Sequence, residues 1–319
     1  MGVVRGHWRG LLAVVALGGA IGSMAVVAHG AGVPYSTSPP HLSTVPQCPI
    51  FPANNVWNEK VDTLPVASDS ATMIQAIGLN SPVHPDFGSS ASNGIPYNVA
   101  TARTPKVPVT IQYASESFKG PYPIPAHPLI EAGSDHHLLI VNSTTCRLYE
   151  LWDVHLGSNG HWTAGSGAIW NMRSNALRPA GWTSADAAGL PILPGLVRIS
   201  EDVYGGAIDH ALRFTAPATC AGYIYPARHE AGSGSCSVLP PMGLRLRLKA
   251  SFDINRLAPQ ARPIARAMQL YGIILADNGS PWYIQGVPNP GWNDSQLHTL
   301  DLITGADLEV VDTSSLRNG

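Results

Sequence analysis

Two histidines, a cysteine, a tyrosine, a glutamate and two aspartates fall within the nineteen residues 135–153, DHHLLIVNSTTCRLYELWD. Side chains alternate between the faces of a strand, so phase tells which of them turn inward. In HHLLIVN, His137 shares a face with Leu139 and Val141; in CRLYELWD, Glu150 lies between Leu148 and Trp152. In AIDHALRFTA, His210 joins Ile208, Leu212 and Phe214, while Asp209 and Arg213 turn the other way. Three strands thus each place one ionisable residue among apolar neighbours. Burying a carboxylate without a partner costs several kcal/mol. His137, Glu150 and His210 meeting in one cavity would therefore be a site, with Arg228 and His229 as further contributors. Taken singly, each histidine reads more simply as a hydrogen-bonded core or rim residue than as a site residue, and Glu150 also fits an ion pair with Arg228 or Arg213.

Three chemistries suit this set. Glycoside hydrolysis needs two carboxyl groups roughly 5–10 Å apart across a sugar. Glu150 is the expected first and Asp186 the second, ahead of Asp153 and Asp209. Trp170 and Trp182, on the aromatic loop that carries Asp186, would stack on sugar faces. A polysaccharide lyase needs a base, here His137, His210 or Tyr149, and a cation such as Arg228 for the uronate. Arg245, Arg247 and Lys249 alternate along LRLRLK, a row that reads as a solvated face or edge protection and, less simply, as a cradle for an acidic polymer. Third, His137, Glu150, His210 and His229 could ligate a metal, but the compact HxH start of a cupin-type site is missing. No metal and no cofactor is therefore expected. GSG at 165–167 is not a GxSxG elbow, and neither a P-loop nor a GxGxxG after a strand occurs.

These residues must be held by strands. Residues 136–142 and 146–153 read as a hairpin turned by Asn142, Ser143, Thr144 and Thr145. Further strands are expected at 107–113, 196–200, 207–216, 222–226, 243–250, 272–276, 282–285 and 308–311. Short helices are expected after Asp69 or Ser70, with Met73, Ile74 and Ile77 as the apolar stripe, and at 259–271. Many short strands with Pro- and Gly-rich connections predict a mostly β fold, a β-sandwich or jelly roll with one or two packed helices.

Arg5 and Arg9, the apolar run 11–27 and Ala28-His29-Gly30 read as a signal peptide over 1–30, cleaved on export; an uncleaved anchor is the alternative. Residues 31–50, rich in Pro, Ser and Thr, read as a linker, leaving 51–319 as a single β-rich domain. Four cysteines in an exported chain favour two disulfides. Cys48–Cys146 and Cys220–Cys236 are the expected pairs. A formal net charge of −2 offers no basic surplus for nucleic acid, and no later stretch is apolar enough for stable membrane insertion.

FPANNVWN at 51–58, HHLLIVNSTTCRLYELWD at 136–153, the aromatic loop at 166–198 and MGLRLRLKASFDI at 242–254 together resemble a family of exported microbial single-domain proteins. That resemblance implies export and one domain, and carries over no catalytic residue. The expected function is a secreted carbohydrate-active enzyme, a polysaccharide hydrolase with paired carboxylates. The alternatives are a lyase on an acidic glycan and a non-catalytic module that binds glycans or the cell envelope.

Overall fold

The computed structural model describes residues 38–317. The expected leader, residues 1–30, lies outside them. Along the chain run the strands β1 (His41–Leu42), β2 (Val45–Pro49), β3 (His84–Asp86), β4 (Tyr97–Ala100), β5 (Val109–Ile111), β6 (Leu138–Asn142), β7 (Arg147–Trp152), β8 (His155–Leu156), β9 (Trp162–Ala164) and β10 (Ser166–Asn171). They are followed by β11 (Leu212–Ala216), β12 (Arg245–Leu248), β13 (Ile273–Asn278), β14 (Tyr283–Gln285) and β15 (Leu308–Val310). The helices α1 (Ser70–Ile77), α2 (Ile199–Asp202), α3 (Arg262–Leu270) and α4 (Asp294–Leu297) are short. The chain is mostly β, as its composition predicts. Among the described residues no helix is long and apolar enough to cross a membrane.

Two sheets organise the molecule. One has the order β10-β7-β6-β4, the other β15-β12-β13-β11-β14-β3. Both mix pairings: β4–β6, β11–β13 and β14–β3 are parallel, the rest antiparallel. Strands inside such sheets are covered on both faces and read as continuous apolar runs. Every residue of β6, LLIVN, and of β11, LRFTA, is buried. The first sheet separates two cores. Leu139, Val141, Leu148 and Trp170 pack on one side of it, Leu138, Ile140, Tyr149 and Leu151 on the other.

Both expected disulfides form. Cys48 and Cys146 stand with Cα atoms 5.3 Å apart, Cys220 and Cys236 with 4.9 Å. The described part of the segment expected as a linker is instead the β1–β2 hairpin, with Leu42, Val45, Cys48 and Ile50 buried. Its Pro and Ser content suggested a tether. The apolar residues between them, and the covalent tie to Cys146, dock it on the core instead.

The LRLRLK row is likewise not a solvated face. β12 lies between β13 and β15, so it has no free edge. Arg245 is 1% exposed. It donates to the Val56 (2.8 Å), Glu59 (2.7 Å) and Tyr271 carbonyls. Burial pushes its guanidinium down to about 10. Arg247 donates to Glu309 and to the Val61 and Leu64 carbonyls, and Lys249 to the Ala306 carbonyl. These cations are engaged with carbonyls and with Glu309, and are not available as a cradle for an acidic polymer.

Candidate functional site

The three residues expected to converge do not share a cleft. Phase placed Glu150 correctly, opposite Leu139 on β6 and Ala168 on β10, but its carboxylate is sealed, with 0% exposure. It accepts from the Ile192 and Leu193 amides, each at 3.0 Å, and from Trp170 Nε1 at 3.1 Å. Burial raises its carboxyl above the usual range against the pull of these donors. Glu150 thus ties β7 to the turn at 190–195. His210 is held elsewhere: its Nδ1 donates to the Ala211 carbonyl at 2.8 Å, and its Nε2 meets Arg198 Nη2 at 2.7 Å. Nε2 also lies 3.2 Å from Glu201 Oε2, so the ring closes a buried cluster with Arg198 and Glu201 away from the other two residues.

His137 is different. Its Nδ1 lies 2.6 Å from Glu131 Oε2 and its Nε2 2.9 Å from the Ala185 carbonyl. Both partners are acceptors, so both ring nitrogens must donate and the ring is an imidazolium. Burial opposes this charge, but Glu131 outweighs it and holds His137 above its ordinary value, while His137 holds Glu131 below its own. The signs set a pH window. The raised histidine contributes stability that is complete below its unfolded pKa of about 6.5 and is lost as pH rises through the folded value. The lowered glutamate contributes stability present above about 4.3 and lost as pH falls through its folded value. Urea melts between about pH 5 and 9 are therefore expected to show stability declining on the alkaline side. His137→Gln should flatten that decline; an unchanged slope would contradict the imidazolium.

Asp186 and His229, by contrast, line one cleft of about 400 Å³. The loop before β11 places Asp186 through its own polar groups. Ser184 Oγ donates to the Leu190 carbonyl at 2.6 Å and accepts from the Asp186 amide at 3.1 Å. The Ala188 amide reaches both Asp186 Oδ1 (2.8 Å) and the Ala276 carbonyl (3.0 Å) on β13. Gly189 turns the chain at φ +69°, where a Cβ would stand 2.5 Å from the Trp182 carbonyl. Asp186 is thereby set beside Asp277, the residue after Ala276.

One arginine joins the two. Arg213 Nη2 lies 2.9 Å from Asp186 Oδ2 and 3.7 Å from Asp277 Oδ2. The two carboxylate oxygens can be no farther apart than those distances laid end to end. Arg213 and Asp186 are fully buried, while the Asp277 side chain is 24% exposed to the cleft. Burial and the neighbouring Asp277 raise the Asp186 carboxyl, against Arg213; burial also raises Asp277. Burial is the largest cause for both, and the local charges add to it. Arg213 and the His137 imidazolium are two cations, and Glu131, Asp186 and Asp277 are three carboxyls. The Asp186–Asp277 pair therefore titrates as a unit and holds one proton more firmly than free aspartates do.

The cleft has further polar and aromatic groups. Asp135 is exposed on it. His229 donates from Nδ1 to the Ala187 carbonyl at 2.8 Å and turns Nε2 toward Glu116, 3.8 Å away. Trp152 stacks on Tyr113 with centroids 6.3 Å apart and planes 30° apart, and both line the cleft. Trp170 and Trp182 sit elsewhere. Arg178 lies 5.7 Å from the Trp170 ring and 5.5 Å from that of Trp182, and these three line a separate groove. Arg228 donates from Nε to the Arg178 carbonyl at 2.8 Å, so it braces this loop.

Sequence reasoning missed Arg213, Asp277, Asp135 and the Tyr113–Trp152 pair. Phase turns Arg213 away from Ile208, Leu212 and Phe214, but β11 runs between β13 and β14 and that second face is covered too. Asp277 escapes strand alternation because β13 carries a bulge. Arg213 pairs with Ile274 and Phe214 with Leu275, but Thr215 pairs with Asp277, leaving Ala276 over. The extra residue moves Asp277 onto the face of Thr215 and Arg213. A hydrophilic Asp277-Asn278 closing the apolar run 273–276 was the only available signal. Compared with family models, curated proteins and solved structures, the chain finds no match in any of the three.

Proposed function

We propose that the protein is an exported glycoside hydrolase acting on a polysaccharide, with Asp277 as the proton donor of the cleft. The observation that carries this reading is the Asp186–Arg213–Asp277 cluster, in which one carboxyl faces solvent and the other does not. Asp186 takes the charge of Arg213 at the shorter distance. The pair shares one proton, and Asp277 is the member that can present it to the cleft, as a general acid must near neutral pH. Asp135, on the same cleft, is the opposing carboxylate that would act on the sugar or on water. Asp186, Arg213 and His137 are positioning residues behind them. The stacked Trp152 and Tyr113 offer an aromatic face to a sugar ring. Two disulfides fit an oxidising, extracytoplasmic compartment, where a polysaccharide is met.

The engagement of Arg245, Arg247 and Arg228 with carbonyls removes the cation row that a lyase would use, and favours hydrolysis. A binding module would expose Trp170, Trp182 and Trp292; Trp170 and Trp292 are only 6% and 4% exposed and Trp182 is half-buried.

The test is reducing-end release from a panel of neutral and acidic polysaccharides. Asp277→Asn is expected to slow turnover about 10²–10⁴-fold with thermal stability nearly kept, since Asp277 is the partly exposed member of the cluster. A folded Asp277→Asn protein at the wild-type rate would sink the assignment. Products absorbing as unsaturated uronates would replace hydrolysis by elimination.

A further inference from the structure

We propose that His136, Asp153 and His155 form a binding site for a first-row divalent metal ion of the zinc class, at the mouth of the cleft. Their ligand atoms lie within 4.8 Å of one another. His155 Nε2 is 2.7 Å and His136 Nδ1 4.0 Å from the same atom, Asp153 Oδ1. Ligands about 2.0–2.2 Å from a tetrahedral ion stand roughly 3.3–3.6 Å apart, so the two separations bracket what an ion needs. Small side-chain rotations close the difference. Two imidazoles and one carboxylate are the ligands of zinc and its neighbours, and three protein ligands leave a position open.

The backbone prepares this arrangement. His136 and Asp153 both adopt left-handed conformations, φ +45° and +54°. They face each other across the open end of the β6–β7 hairpin. The Asp153 amide donates to the Asp135 carbonyl (2.8 Å) and the Val154 amide to the His136 carbonyl (3.2 Å). The His136 and His155 rings meet edge to face at 4.8 Å. A second observation points to a ligand: His136 Nδ1 is shut off from solvent and has no hydrogen-bond partner among the described residues. A ring nitrogen so placed costs free energy unless something fills its lone pair or takes its proton.

The site borders the cleft. Asp135 and Trp152, which immediately precede His136 and Asp153, both line it. An ion held here would stand beside a bound polymer. The inference does not rest on the hydrolase reading, because its test reads metal and not turnover. A second group, His84, His298 and Asp301, also has its ligand atoms within 4.8 Å, so it serves as the control.

The experiment is calorimetric titration of untagged protein with zinc chloride, repeated with cobalt(II) chloride while recording visible absorption. Wild type is expected to bind zinc at a site that His136→Ala and His155→Ala each weaken by more than the roughly 10–100-fold cost of losing an outer-shell partner, with His298→Ala unaffected. The cobalt d–d bands should disappear in the same two variants. All three histidines are partly exposed, and equal melting temperatures of the metal-free proteins would exclude misfolding as the cause. Absence of zinc binding by wild type, or a loss that follows His298→Ala and spares His136→Ala and His155→Ala, would overturn the proposal.

Discussion

Arg213→Met is expected to cost about 3–5 kcal/mol of stability, the usual penalty for leaving one member of a buried ion pair without the other. The substitution keeps the volume of the side chain but removes the cation between Asp186 and Asp277. Asp186 then has only the Ala188 amide and must take up a proton or stay charged in the dry interior. Urea unfolding at neutral pH measures the loss, and turnover should fall with it because the Asp277 carboxyl loses its neighbour. Wild type already carries an expense here. Arg213 Nε and Nη1 are buried with no hydrogen-bond partner among the described residues. The double variant Arg213→Met, Asp186→Leu should therefore recover much of the stability lost in the single variant, while remaining inactive. Full stability in Arg213→Met alone would show that the cluster is not the electrostatic centre of the fold.

Glu150→Leu is expected to be comparably damaging, at roughly 3–5 kcal/mol, although the residue is a carboxylate in an apolar core. Removing it strands the Ile192 and Leu193 amides and Trp170 Nε1. Each buried orphan donor costs about 1–3 kcal/mol, partly shared where the turn can relax. Glu150→Gln keeps one acceptor oxygen but turns an amide N–H toward a donor, and should fall between, at about 1–3 kcal/mol. The graded series separates an acceptor role from a catalytic one. In the scaffold role, each variant that folds keeps its activity per folded molecule, and chemical denaturation orders the three proteins. A stable Glu150→Gln with no activity would return Glu150 to the chemistry.

These two residues also mark how far the sequence could be read. Local rules succeeded where a property depends on neighbours in the chain. The β6–β7 hairpin, the α1 stripe of Met73, Ile74 and Ile77 and the inward phase of His137 and Glu150 all emerge from alternation and turn chemistry. Both cysteine pairings also held. Asp186, on the aromatic stretch 166–198, reached the cleft, while the first residues of that stretch, Ser166–Asn171, form β10. Local rules failed where a property depends on what covers a strand. Arg245 reads as part of a solvated row because the rule assumes one wet face, and alternation that turns Arg213 from its apolar neighbours does not show that its own face is covered too. The hairpin at 41–49 was taken for a tether because composition does not register docking.

The stretch 135–153 thus divides by scale. By itself the sequence determined a mostly β chain, a central hairpin, and two ionisable residues on its apolar face, because strand geometry repeats every two residues. Only the tertiary structure decided which charges are neighbours. Glu150 was assigned to the turn at 190–195, His137 to Glu131, and the cleft to Asp135 at the hairpin's end. A one-residue bulge in β13 brought Asp277 to the face of Arg213. Coulomb interactions depend on separation in space and on burial, and neither is encoded at any fixed spacing along the chain.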